Sequence, residues 1–251
     1  MNQKVSIITP MYNAQQYIGE TIASVQAQTY EDWEMIVVDD CSTDTSVSLV
    51  ESYACQDERI RLIKNQINQG VAVTRNTGIG AATGRYLAFL DSDDLWKPGK
   101  LQQQIDFMKQ TGADFSYTAC EVIDGKGNPA GPERSVPAQE NYGQLLRGNG
   151  IPCLTVMADL ESIPKELMCM PAISHEDYAT WLRIARMGYS MKGLNHVLAS
   201  YRNQANSLSG NKIQAAKWQW NIYRRQEGLS VIKSLYYMCF YMYQALKKRI
   251  G

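Results

Sequence analysis

Short apolar runs alternate along the first hundred residues with segments whose apolar positions recur at helical spacing. Val5 to Thr9, Met35 to Val38, Ile60 to Ile63 and Tyr86 to Leu90 read as strands, near-continuous apolar runs of the kind that are covered on both faces. Between them, Ala14 to Gln28, with Tyr17, Ile18, Ile22 and Val25 on one side, reads as a helix, as do Thr45 to Ala54 and Val71 to Ala82. Strands alternating with helices predict βα units and a Rossmann-like, mostly parallel α/β sheet flanked by helices. In such a sheet ligands bind beyond the carboxyl ends of the strands, where Tyr12, Asp39, Asp40 and Asp91 to Asp94 fall.

After Trp96 the pattern predicts a helix over Lys100 to Gln110, a strand over Phe115 to Ile123, and a Gly- and Pro-rich loop from Asp124 to Pro137. Glu176 to Met187 reads as a helix with an acidic first turn, which suits the positive end of its dipole. From about Asn211 the chain reads as helical to its end. The expected organisation is a catalytic domain over 1–210, with halves 1–97 and 98–210, and a C-terminal helical extension over 211–251.

Lys plus Arg equals Asp plus Glu at 25 each, so the chain lacks the overall basic excess of a general nucleic-acid binder. Its six cysteines include no CxxC pair and its two histidines lie away from zinc-ligand spacing, which predicts reduced thiols. MNQKVSIITP reads as a first strand and not as a signal peptide, and together with the cysteines this predicts a cytoplasmic protein.

The densest chemistry is FLDSDD at Phe89 to Asp94, where a strand delivers three carboxylates into one turn. Like charges that close need compensation. A divalent cation, Mn²⁺ or Mg²⁺, supplies it by binding one or two carboxylates together with substrate phosphates. Read locally, the same turn is an acidic cap for the next helix. VDDCSTD at Val38 to Asp44 ends the second strand with another acidic pair, followed by Ser42, Thr43 and Asp44 that can cap the next helix; a carboxylate there either accepts an imide N–H of a uracil-like base or serves as an ordinary cap. PMYN at Pro10 to Asn13 ends the first strand with a ring and an amide, a place for a base to stack or an ordinary turn.

In this order ITPMYN, VDDCSTD, NQGVAVTRNTGIGAATGRYLAFLDSDDLW and SHEDYATWLR resemble the family 2 glycosyltransferases of the GT-A fold, over residues 4 to about 202. The chain looks most like the bacterial capsule, teichuronic-acid and O-antigen transferases of that family. The resemblance implies a metal-dependent, inverting transfer of a sugar, a hexosyl group, from a nucleotide-diphosphate sugar (UDP foremost) to a hydroxyl of a polysaccharide or lipid-linked glycan. It implies donor contacts at Pro10, Tyr12, Asn13, Asp39, Asp40, Arg75, Asp91, Ser92 and Arg202, and a metal on Asp93 and Asp91. Asp177 is the implied base that deprotonates the acceptor, oriented by Glu176, while Asp94, Trp96 and Trp181 stand behind the donor or near the acceptor. Tyr201, Arg202, Ser207 and Ser209 match a late segment that folds over the diphosphate; YRNQANSLSG lacks the metal-binding His often found there.

Leu235 to Tyr243 is wholly apolar or aromatic, about half the ~20 residues of a spanning helix. With Lys247, Lys248 and Arg249 the stretch 229–250 suits a helix lying on the inner face of an anionic membrane; packing on the catalytic domain or on a second copy is the competing reading. Two other functions fit parts of the pattern. A nucleotide-sugar-binding scaffold without turnover would keep the pocket, but intact Asp93 and Asp177 argue against it. A nucleotidyltransferase needs a Gly-rich phosphate loop that ITPMYN does not supply.

Overall fold

The computed structural model describes residues 3–203 and 212–250. Four parallel strands form the N-terminal part: β1 (Val5–Met11), β2 (Trp33–Asp39), β3 (Ile60–Lys64) and β4 (Tyr86–Phe89). Helices α1 (Ile18–Gln26), α2 (Ser46–Ala54) and α3 (Val71–Ala81) connect them. Then follow β5 (Leu95–Trp96), α4 (Lys100–Thr111), β6 (Phe115–Ile123), β7 (Gln139–Glu140), α5 (Tyr142–Leu145), β8 (Met157–Asp159), α6 (Glu176–Arg186) and β9 (Met191–Arg202). Among the described residues these strands make one sheet in the order β3-β2-β1-β4-β8-β6-β9-β5, with β7 also on β9. β8 lies antiparallel between β4 and β6, so one sheet runs through both sequence halves.

Alternate strand residues feed two cores. Ile8, Ile36, Val38, Leu87 and Phe89 pack toward α3 and α6, whereas Ile7, Met35, Val37 and Ala88 pack toward α1 and α4. Burial on both faces is why these strands read as unbroken apolar runs. Gly78 sets how closely α3 lies on the sheet: a Cβ there would sit 2.6 Å from the Ile8 Cγ2. A larger residue there would have to displace either Ile8 or the helix that carries Arg75.

Trp181, expected to orient base and acceptor, and Trp96, expected behind the site, are core residues. Trp96 is buried, its ring N–H donating to the Leu154 carbonyl at 2.8 Å, with the Lys100 Nζ 3.7 Å from the ring centroid. Trp181 is fully buried between Phe89 and Phe115, centroids 5.9 and 4.9 Å away. Both lie on helix or strand faces turned to the sheet, which composition alone does not reveal.

Lys100 itself is fully buried and its amine has no hydrogen-bond partner among the described residues, so burial holds its pKa well below the usual lysine value. The Trp96 ring offsets only part of that desolvation. Lys100→Met keeps the aliphatic volume and removes the charge, and is expected to raise Tm at pH 7 by about 2–6 °C in a thermal melt. A lower Tm would mean that the ring contact outweighs the desolvation.

The C-terminal extension holds α7 (Lys212–Asn221), a π-helical stretch (Ile222–Gln226) and α8 (Val231–Ile250). It is fastened to the preceding residues: the Tyr223 hydroxyl donates to the Leu146 carbonyl at 2.6 Å and the Tyr142 hydroxyl to Glu227 at 2.8 Å. Among the described residues no helix is long and apolar enough to cross a membrane.

Candidate active site

The carboxyl ends of β1, β2 and β4 lie side by side, as the parallel register requires. The β1 and β2 loops are tied together. Asn13 donates its backbone N–H to the Ser42 hydroxyl at 2.9 Å and accepts the Thr43 N–H at 2.8 Å, and Asp44 accepts from the N–H groups of Gln15 and Ser46 at 3.2 and 2.9 Å. These bonds hold 14–17 as a turn, so α1 begins at Ile18, four residues later than its apolar spacing suggests. The freed segment walls a cavity of about 530 Å³ with Tyr12, Tyr17, Asp44, Ser92 and Asp93. Tyr12 is half exposed at this wall, whereas Pro10 is buried in β1. Gln15, Gln16 and Thr43 also line it, although apolar spacing predicts 14–17 as helix and Asp44 is predicted as a cap.

The β4 turn is braced from behind. The Thr21 hydroxyl lies 3.0 Å from the carbonyls of both Ser92 and Asp94. Arg202 donates its backbone N–H to the Asp94 carboxylate and its Nε to the Asp93 carbonyl, each at 2.7 Å. Its remaining nitrogens reach Glu20 at 2.7 Å and the carbonyls of Asp124 and Gly125. Where the resemblance implies a donor contact, Arg202 is fully buried and bonded within the protein, and it fixes the turn that carries the acidic residues. Ser207 and Ser209 lie outside the described residues.

Asp40 is likewise committed. It accepts the N–H groups of Gln69 and Gly70 at 2.9 and 2.8 Å and the Asn65 amide at 2.9 Å. Burial pushes its pKa up, but these donors more than offset that and hold it below the usual carboxylate range. It clamps the loop into α3, which Gly70 enters at φ 81°, and is not presented to a base. Asp39 is buried and accepts the Ser42 N–H at 3.2 Å.

Arg75 leaves α3 and passes under the β4 turn. It is buried, and its two terminal nitrogens lie 2.6 Å from Asp91 and 2.5 Å from Glu176. Burial opposes its charge, but Asp91 and Glu176 hold its pKa well above the ordinary arginine value. The residue expected to touch the diphosphate thus joins the β4 turn to the first turn of α6. His175, at the start of α6 with φ 61°, Asn13 at 49° and Cys41 at 67° are the non-glycine residues with positive φ among the described residues; each stands at a loop edging this site.

Asp177 follows Glu176 one turn before Trp181, on the stripe that faces the sheet, at the edge where the strands stop. Burial, and then the Glu176 charge, push its pKa up to about 6, while its carboxylate accepts the Tyr178 N–H at 2.7 Å. Beneath it, burial pushes the Cys153 thiol well up, and that thiol senses the charges of Arg75, Asp91 and Asp177. Glu176 also lines a second cavity of about 580 Å³, with Gly70, Val71, Ile173, His175 and Trp218. The His175 and Trp218 rings lie 5.5 Å apart, so the helical extension closes one side of this groove.

Asp91, Ser92 and Asp93 are partly exposed in the β4 turn, whereas burial, and then the charges of Asp91 and Asp93, push the Asp94 pKa well up. Among the described residues no three His, Cys, Asp or Glu side chains group to hold a metal. Ligands from a bound phosphate would have to complete the set.

The family model for "Glycosyl transferase family 2" matches residues 6–158. The chain is 42% identical, over 98% of its length and 97% of the relative's, to a Bacillus subtilis protein assigned to teichuronic acid biosynthesis as the glycosyltransferase TuaG. It is 37% identical, over 87% of its length and 84% of the relative's, to the Escherichia coli UDP-Glc:α-D-GlcNAc-diphosphoundecaprenol β-1,3-glucosyltransferase WfgD. Among solved structures, S. aureus TarS 1-349 in complex with UDP-GlcNAc superposes with a TM-score of 0.75 at 20% identity, covering 89% of this chain and 65%, just under two thirds, of that one. The mannosyltransferase PcManGT from Pyrobaculum calidifontis, in complex with GDP-Man and Mn²⁺, gives 0.70 at 20% identity, covering 95% and 70%. These two likenesses carry the fold, GT-A.

Proposed function

Because the chain belongs to glycosyl transferase family 2, we propose that it transfers a hexosyl group from a UDP-sugar, with inversion, to a hydroxyl of a lipid-linked or growing glycan in cell-surface polysaccharide synthesis, at the cytoplasmic face of the membrane. The observation that carries this reading is the Arg75 bridge: one guanidinium joins Asp91, on the turn beside the 530 Å³ cavity, to Glu176, in the wall of the 580 Å³ groove. Donor and acceptor chambers therefore meet at a single charged contact. The UDP-sugar named for WfgD and the UDP-GlcNAc bound to TarS support uridine in the first chamber, and the diphosphoundecaprenol acceptor of WfgD supports a lipid-linked acceptor in the second.

In this reading the nucleotide lies between Tyr12, Tyr17 and Asp44, with its diphosphate toward Ser92 and Asp93. Asp93, with Asp91, would hold Mn²⁺ or Mg²⁺, which when bound stabilises negative charge on the leaving diphosphate. Asp177, ionised above pH 6, accepts the proton of the acceptor hydroxyl. The hydroxyl oxygen forms its bond to the anomeric carbon on the face away from the diphosphate, and the electron pair of the broken C–O bond leaves with UDP. Glu176 and Arg75 keep Asp177 at the chamber boundary, and Val71, Ile173 and Trp218 offer apolar contact to the acceptor.

Thermal shift against UDP-, GDP-, CMP- and dTDP-sugars, with and without Mn²⁺, tests the donor side. The UDP-sugar is expected to give the largest shift and Mn²⁺ to enlarge it. Asp93→Ala, its shift read against its own unliganded Tm, should weaken Mn²⁺-dependent donor binding by about 10²-fold, the loss of one charged ligand at about 2–3 kcal/mol. A wild-type Mn²⁺-dependent shift in Asp93→Ala would remove the metal from this turn.

A further inference from the structure

Helix α8 buries one side and leaves the other bare. Ser234 is fully buried, Tyr237 stacks near Tyr223 at 6.1 Å, and Tyr237 and Met238 pack on the core shared with α6. The opposite side carries Val231, Ile232, Leu235, Tyr236, Met242 and Tyr243, each more than half exposed and Ile232 81% exposed. At about 100° per residue these positions fall within an arc of about 140°, a continuous apolar stripe and not scattered surface residues. Cys239, also exposed, falls on the same arc.

The charge around the stripe says what covers it. From Gly228 to Gly251 the sequence holds no Asp or Glu, against Lys233, Lys247, Lys248 and Arg249. A twin helix packed antiparallel across a two-fold axis would bring one copy's basic end to the other's Lys233, with no carboxylate to meet either. An anionic lipid surface instead answers both features. It takes the apolar arc into the boundary between headgroups and acyl chains, keeps tyrosine hydroxyls at headgroup depth, and attracts the basic end. The helix is too short in apolar residues to cross, so it lies flat. We infer that the outer face of α8 is a docking surface for an anionic membrane. The inference stands apart from the donor and acceptor assignments, since it concerns a face outside both cavities.

Flotation of the full chain with vesicles rich in phosphatidylglycerol, and with phosphatidylcholine vesicles, tests it. Wild type is expected to float with the former and much less with the latter. Ile232→Glu with Leu235→Glu and Met242→Glu should cut the vesicle-bound fraction at least about tenfold, because charges on the stripe oppose insertion. The exposed sites should leave Tm and the UDP-sugar shift unchanged, which separates lost docking from lost folding. Equal flotation with both vesicle types, or flotation unaltered by the three substitutions, overturns the inference. So does a dimer in light scattering that the substitutions convert to a monomer, which would assign the stripe to a second copy.

Discussion

Asp177→Asn is expected to abolish glycosyl transfer, lowering kcat by about 10²–10⁴-fold, while donor affinity stays within twofold of wild type. Asn keeps the shape and can still accept the Tyr178 N–H, so α6 starts as before; only the proton acceptor is gone. The pH profile gives a second reading of the same group. Because its pKa is pushed up to about 6, kcat/KM of the wild type should fall tenfold per pH unit below about 6 and level off above it. Stability should move the other way. A carboxyl whose folded-state pKa is raised contributes fully while protonated, below its unfolded value near 4, and loses that contribution as pH rises through 6. At pH 7.5 the ionised side chain therefore costs stability, at most about 3 kcal/mol for a shift of about two units. The Asn variant should melt higher than wild type at pH 7.5, with the gap closing toward pH 4. Wild-type turnover by Asp177→Asn would end its role as base; a lower melting point at pH 7.5 would show that the ionised carboxylate is stabilising in place.

The parts of the fold that the sequence made legible are those in which each residue's burial repeats over a long enough stretch. β1, β2 and β4 are buried on both faces and α6 keeps an apolar stripe, so run length and spacing located them. β5 and β7 have two residues each, β8 three and α5 four, too few for any period to show. β9 is long, but it pairs β6 through register shifts at Thr118 to Cys120, which break the alternation that would have announced it. At the site, Asp91, Asp93, Glu176 and Asp177 were legible because clustered charge is costly without a purpose. Trp96, Trp181, Arg202 and Asp40 carry equally suggestive side chains, yet each is spent inside the protein, and only packing tells a ligand from a brace. The Arg75 link to Glu176 spans 101 residues and exists only because the sheet order brings α3 and α6 to one edge. The side chains of Lys247, Lys248 and Arg249 lie outside the described ones, so the tail is legible there only as charge.

Arg75→Met should cause the largest stability loss of any single change at this site. The guanidinium is buried and is the shared counter-ion of Asp91 and Glu176, at 2.6 and 2.5 Å. Methionine fills much of the volume but leaves two carboxylates facing each other with no cation between them. Breaking a buried pair from one side costs about 3–5 kcal/mol, and a chain of this size loses about 2–4 °C of Tm per kcal/mol, so Tm should fall by about 6–20 °C. Adding Glu176→Gln to Arg75→Met removes one of the two carboxylates outright and should recover about half of the loss, although Glu176→Gln alone destabilises, a sign reversal that only direct coupling produces. Lysine cannot replace the fork: a single ammonium reaches one carboxylate at a time, so Arg75→Lys should fold well but lose transfer, with the β4 turn and the start of α6 no longer held in register. If Arg75→Met melts within about 1 °C of wild type, the two chambers are not joined through this residue, and the geometry that supports transfer between them goes with it.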